Sequence, residues 1–123
     1  MPPPVRVLIA DDHRLFAEAL EAVLATEERI EVVGRAADGE EAVALARTLH
    51  PDVVALDISM PVMDGFEAAA ALEGLQPSPA VLMLTGSNSP DDIDRARRTG
   101  AKGYITKDAI AASLVDAILA AAR

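Results

Sequence analysis

Five polar residues at four places in the chain could do chemistry together: the pair Asp11-Asp12, then Asp57, Thr85 and Lys107. Each place closes a short apolar run. Three carboxylates in one crevice repel one another and raise one another's pKa, so positive charge must offset them. Lys107 supplies one such charge, but a hard divalent cation with oxygen ligands fits three acids better. Mg2+ suits this role, because it keeps several waters and takes one or two carboxylates together with phosphate oxygens. A lysine and a threonine hydroxyl opposite the metal suit a tetrahedral anion, and the chemistry indicated is phosphoryl transfer. A carboxylate can itself be the nucleophile, forming an aspartyl-phosphate, while the cation and the ammonium neutralise charge in the transition state. Asp57, between the other strand ends, is the best candidate for that acceptor.

Taken singly, each residue has a plainer role. An Asp after a strand usually caps the next helix. Asp12 could do so before His13, and Asp64 for the helix that starts at Gly65. Thr85 alone is a turn residue and Lys107 alone a solvated charge. Their weight lies in four separate segment ends delivering acid, acid, hydroxyl and amine to one place. His13 and His50 are the only histidines; His13 at a helix start could in principle ligate a metal, but with no second histidine near it in sequence it reads as a surface or capping residue. Asp91-Asp92-Ile93-Asp94 lacks the glycine and closing glutamate of an EF-hand loop, and no GxGxxG or P-loop sequence occurs.

The elements that must position these groups alternate along the chain. Strands are expected at Val5–Ala10, Ile30–Ala36, Val53–Leu56, Ala80–Leu84 and Gly103–Thr106. Helices are expected at His13–Ala25, Glu40–Leu49, Gly65–Leu75, Pro90–Thr99 and Ile110–Ala122. In the first helix Leu15, Phe16, Ala19, Leu20, Val23 and Leu24 form the expected apolar stripe. Five such units predict a parallel sheet with helices on both faces. The first, third and fourth strands are unbroken apolar runs, as for strands buried on both sides, whereas the second carries Glu31 and Arg35 and the fifth is short. Placing the wet and short strands outside gives the order 2-1-3-4-5, an α/β, flavodoxin-like, doubly wound five-stranded sheet. Ligands of such sheets bind beyond the carboxyl ends of the strands, where the order reverses between strands 1 and 3. The chemistry-bearing residues sit at those ends.

At 123 residues the chain is one domain. Eleven Lys and Arg against 20 Asp and Glu give a formal net charge of −9, which disfavours direct nucleic-acid binding and anionic membranes. The 51% hydrophobic content excludes disorder, and no apolar run reaches bilayer length. Zero cysteines exclude disulfides and thiolate metal sites and fit a reducing cytosol, so the expected location is cytoplasmic.

The segment Asp57-Ile58-Ser59-Met60-Pro61-Val62-Met63-Asp64-Gly65 resembles the D-x-x-M-P-x-M-D-G pattern of response-regulator receiver domains of two-component signalling. Asp11-Asp12, Thr85, Gly100-Ala101-Lys102-Gly103-Tyr104 and Lys107 also fall where that family has them, and the likeness covers essentially the whole chain. The wording Ala10-Asp11-Asp12-His13-Arg14-Leu15-Phe16 is similar to the NarL/FixJ (LuxR-type) branch, whose members usually carry a C-terminal helix-turn-helix domain.

The resemblance implies that Asp57 accepts a phosphoryl group from a phosphohistidine on a sensor histidine kinase. It implies that Asp12 and Asp57 ligate Mg2+ directly, Asp11 through water, with the main-chain carbonyl of Ser59 as a further ligand. Thr85 and Lys107 would contact the phosphoryl oxygens. Tyr104 would swing inward as Thr85 moves, altering the surface of helix 4, strand 5 and helix 5 and allowing a homodimer on phosphorylation. The output implied is control of transcription by a domain outside residues 1–123, which form a single receiver domain. Two departures stand out: Asp108 follows Lys107 where many receivers have proline in a cis bond, and Gly86 follows Thr85 where alanine is common. Ser59 and Ser87 occupy places that tune water access to the phosphoryl group in this family.

Three rivals are weaker. A haloacid-dehalogenase-type phosphohydrolase usually wants an acid two residues after the nucleophile, where Ser59 stands. A flavin-binding electron carrier needs a hydroxyl-rich phosphate loop after the first strand, and Asp11-Asp12 would repel phosphate there. A degenerate receiver that only binds a partner would not need the complete set of five residues.

Overall fold

The computed structural model describes residues 3–60, 62–86 and 90–122. Along them run β1 (Val5–Ala10), α1 (Arg14–Ala25), β2 (Ile30–Ala36), α2 (Gly39–Leu49), β3 (Val53–Asp57), α3 (Gly65–Glu73), β4 (Ala80–Thr85), α4 (Pro90–Arg98), β5 (Gly103–Thr106) and α5 (Ile110–Ala121). The strands form one parallel sheet in the order β2-β1-β3-β4-β5, as expected from the sequence.

Alternation within the inner strands divides the core in two. Leu8, Ala10, Val54, Leu56, Val81 and Met83 pack on one side with α2, α3 and Ala96 of α4. Val7, Ile9, Val53, Ala55, Leu82 and Leu84 pack on the other with α1 and α5. Side chains point to opposite faces at successive positions, so a strand covered on both faces needs apolar residues throughout. That is why β1, β3 and β4 read as continuous runs. Glu31 and Arg35 remain exposed on the β2 edge.

Local signals place the turns. Asp64 caps α3 as expected, accepting from the Glu67 amide at 2.9 Å, and the Glu67 side chain accepts from the Asp64 amide to complete a capping box. Asp38 caps α2 through the Glu41 amide at 2.8 Å; such caps contribute about 1 kcal/mol each. Gly100, in the left-handed region at φ 82°, follows α4, a conformation in which any Cβ is strained.

Two strands reach further than their apolar runs. β3 takes in Asp57 and β4 takes in Thr85, so both groups sit on the sheet rather than on loops. α3 stops at Glu73 rather than Leu75. The first helix is rotated from its expected stripe: Ala17, Leu20 and Leu24 are buried and Phe16 half-buried, while Leu15, Ala19 and Val23 are exposed. A helix this rich in apolar residues has more than one candidate stripe, and packing against the sheet selects among them.

α4 is the least anchored helix. Among its described side chains Ala96 is buried and Ile93 half-buried, with the Arg95 guanidinium 4.1 Å from the centre of the Phe66 ring of α3. Little burial opposes its opening. Hydrogen exchange is expected to be faster in α4 than in α1 and α2; equal protection in all three would contradict this account.

Candidate functional site

β1, β3 and β5 end together at one edge of the sheet, and their terminal residues meet there. Asp11 and Asp57 are buried, at 3% and 2% relative exposure, whereas Asp12 is exposed at the mouth. The Lys107 ammonium lies 3.1 Å from Asp11 Oδ2 and 3.5 Å from Asp57 Oδ2. It also sits 4.5 Å from the centre of the Phe16 ring, which confines it over the acids. The chain passes from β5 into α5 through a turn of 3-10 helix at Lys107–Ala109, and among the described residues the cis peptide bond is Gln76–Pro77. Asp108 is accommodated in that turn.

Asp57 has a close-packed setting. Its strand partner is Leu84, and the next amide, of Ile58, donates to the Leu84 carbonyl at 3.0 Å. The Gly65 amide donates to the Ile58 carbonyl at 2.8 Å, drawing the start of α3 against the end of β3. A Cβ on Gly65 would lie 2.4 Å from the Asp57 carbonyl oxygen, so only glycine permits this approach. The Ser59 amide donates to Asp57 Oδ1 at 3.3 Å, and the Ser59 side chain is exposed. Thr85, at 4% exposure, ends β4 one residue beyond Leu84, at the same edge of the sheet as Asp57. A cleft of about 540 Å³ lined by His13, Leu15, Phe16, Asp57, Ser59, Gly86 and Lys107 gives access to the acceptor candidate.

Burial first, and then the Asp11 charge, push the Asp57 carboxyl up to about 6, against the downward pull of Lys107 and the Ser59 amide. Asp11 Oδ2 and Asp57 Oδ2 are buried without a hydrogen-bond donor. Oxygens so placed favour an added cation, and Asp11, Asp12, His13 and Asp57 form a group that could hold a metal ion.

Tyr104 stands apart from this crevice. It pairs with Met83 across β4 and β5, is half-buried, and lines a second cleft of about 410 Å³ with Ile93, Ala96 and Arg97 of α4. Ser87 lies outside the described residues. His13 is the residue that the sequence reading set aside as surface or capping. It occupies the N-cap position of α1, but its ring makes no cap hydrogen bond. Instead its Nδ1 lies 3.2 Å from Asp11 Oδ1 and 3.3 Å from Asp12 Oδ1. The available signal was its position directly after two acids at a strand end.

Fold and site together define a doubly wound α/β domain whose carboxyl-end crevice sets an acid cluster against one lysine. A family model described as the response regulator receiver domain matches residues 7–119, and the chain belongs to that family. The transcriptional regulatory protein DegU of Brevibacillus brevis is 38% identical over 114 residues, 93% of this chain and 48% of its own length. The transcriptional regulatory protein LiaR of Bacillus subtilis is 39% identical over 119 residues, 97% of this chain and 56% of its own. The signal receiver domain of NarL from Mycobacterium tuberculosis superposes with a TM-score of 0.93 at 37% identity, covering 98% of both chains. These relatives bear out the LuxR-type resemblance. The chain spans about half the length of the curated relatives it matches. Among the described residues no helix is long and apolar enough to cross a membrane.

Proposed function

We propose that this chain is a phosphorelay switch in the cytoplasm that accepts a phosphoryl group on Asp57 from a sensor histidine kinase. The observation that carries the reading is a buried carboxylate, Asp57, lining an open cleft, with the Lys107 ammonium reaching both it and the second buried acid, Asp11. An Asp57 carboxylate oxygen attacks phosphorus, an O–P bond forms, and the N–P bond of the donor phosphohistidine breaks with its electron pair returning to the histidine nitrogen. Lys107 and the Thr85 hydroxyl take the phosphoryl oxygens and offset their charge. Asp12, Asp57 and the Ser59 carbonyl would hold Mg2+, with Asp11 acting through water, and the two buried oxygens that accept no hydrogen bond are the feature of this chain that fits it. The chemistry that Mg2+ would supply when bound is positive charge to offset the oxygens of donor and acceptor.

Movement of Thr85 toward the phosphoryl group, with Tyr104 following inward, reshapes the α4-β5-α5 surface and promotes a homodimer. The weak anchoring of α4 supports this part of the reading. The chain itself does not bind nucleic acid; the output is transcription through a helix-turn-helix domain C-terminal to residues 1–123, in keeping with the names of DegU and LiaR. Intact-mass spectrometry after incubation with acetyl phosphate and Mg2+ tests the switch. One added phosphoryl group is expected in the parent and none in Asp57→Ala. No addition to the parent, from acetyl phosphate or from a cognate kinase, would leave a receiver that acts only by partner binding.

A further inference from the structure

The ring of His13 is out of place for a capping residue and well placed for a ligand. Its Nδ1 stands 3.2 Å from Asp11 Oδ1, 3.3 Å from Asp12 Oδ1 and 3.9 Å from Asp57 Oδ2. One donor atom from each of these four residues lies within 4.8 Å of all the others. Adjacent ligands on a small divalent cation, bound at 2.0–2.2 Å, are about 3 Å apart. The imidazole nitrogen and the carboxylate oxygens therefore already have spacings close to those of a coordination polyhedron. The His13 amide donates to Asp11 Oδ1 at 2.8 Å, which ties the residue to the crevice. Beside this cluster geometry, Asp11 Oδ2 and Asp57 Oδ2 are buried oxygens that accept no hydrogen bond, though the Lys107 ammonium lies within 3.5 Å of each.

From this geometry we infer that His13 is a nitrogen ligand that gives the crevice a second class of cation, late first-row metals such as Ni2+ and Zn2+. Imidazole suits these borderline ions, whereas Mg2+ selects oxygen ligands, so His13 sets the metal preference without serving Mg2+. The inference rests on the proposed metal crevice and adds a residue to it. A cation held by three carboxylates and His13 competes with Mg2+ for one site.

Calorimetric titration of the metal-free protein with NiCl2 and with MgCl2 at pH 8 tests this. Wild type, His13→Ala and His13→Asn are compared, with His50→Gln as the control for binding at the other histidine. Ni2+ affinity is expected to fall about tenfold or more in both His13 variants, with His50→Gln unchanged and Mg2+ affinity unchanged in all. Saturating ZnCl2 is expected to shift the ring resonances of His13 in NMR spectra, and excess MgCl2 to reverse the shift. Equal Ni2+ affinity in wild type and His13→Ala, or a His13 ring that Zn2+ leaves unmoved, would overturn the assignment. Intact Mg2+ binding and acetyl phosphate labelling in those samples would show that this inference alone had failed. Loss of both in the wild type would remove the phosphorelay reading itself.

Discussion

Asp57→Asn is expected to make the metal-free protein more stable at pH 7 by about 2–3 kcal/mol, and to raise Tm by about 6–12 °C, while ending phosphoryl uptake. The gain follows from the Asp57 carboxyl being pushed from 3.8 to about 6 by burial and by Asp11. Between those values the folded state keeps a proton that the unfolded chain has released, so stability falls as pH rises through the interval. Below it the carboxyl is neutral in both states; above it the folded state carries the full cost of a desolvated charge beside Asp11 and Asp12, only partly offset by Lys107 and the Ser59 amide. The asparagine amide removes that charge, and with it the repulsion from Asp11. Denaturant titrations in EDTA are expected to show little difference between the proteins near pH 4 and a gap that widens to pH 7. Saturating Mg2+ narrows it, because the cation does for the carboxylate what the amide does. A gap independent of pH, or a less stable asparagine variant, would contradict this assignment of the strain.

Gly65→Ala carries the largest expected loss. The added Cβ would lie 2.4 Å from the Asp57 carbonyl oxygen and 2.6 Å from Ile58 Cα, and backbone atoms cannot rotate away. Either α3 lifts from β3 or the strand end shifts, at a cost of about 2–3 kcal/mol even after alanine's better helix propensity. Gly74→Ala is the control. Its nearest contact is 3.4 Å and its φ is −77°, so no loss beyond about 0.5 kcal/mol is expected. Mg2+ affinity is expected to drop in Gly65→Ala because the displaced strand end carries Asp57. Equal stability of the two alanine variants would show that the junction between β3 and α3 gives way freely.

Much of this architecture was legible in the residues because parallel strands buried on both faces leave an unmistakable pattern. Val53-Val54-Ala55-Leu56 could belong only to the inside of a sheet, and the charges of β2 only to its edge. Once the order was set, the convergence of Asp11, Asp12, Asp57 and Lys107 followed, because topology brings the carboxyl ends of β1, β3 and β5 to one edge. Asp64 announced the start of α3, because a helix cap acts through contacts three residues apart. Helix rotation was not legible in the same way. Leu15, Ala19 and Val23 satisfy the helical period as well as Ala17 does, and the choice among them depends on what the sheet offers opposite.

The sequence by itself determined the order of the strands, the chemistry available at their ends and the family to which the chain belongs. Those follow from local polarity and chain order, which do not change on folding. Only the tertiary structure decided that Asp11 and Asp57 lie deep while Asp12 stays at the mouth, that Lys107 reaches both buried acids past the Phe16 ring, and that the His13 ring turns to the carboxylates instead of capping α1. The depth of the two acids and the reach of Lys107 are set by neighbours 40 or more positions away in the chain, as Asp57 is from Asp11 and Lys107 from Asp57. Packing of those distant groups, not residue type, decides which carboxylate loses its water and how far its pKa moves.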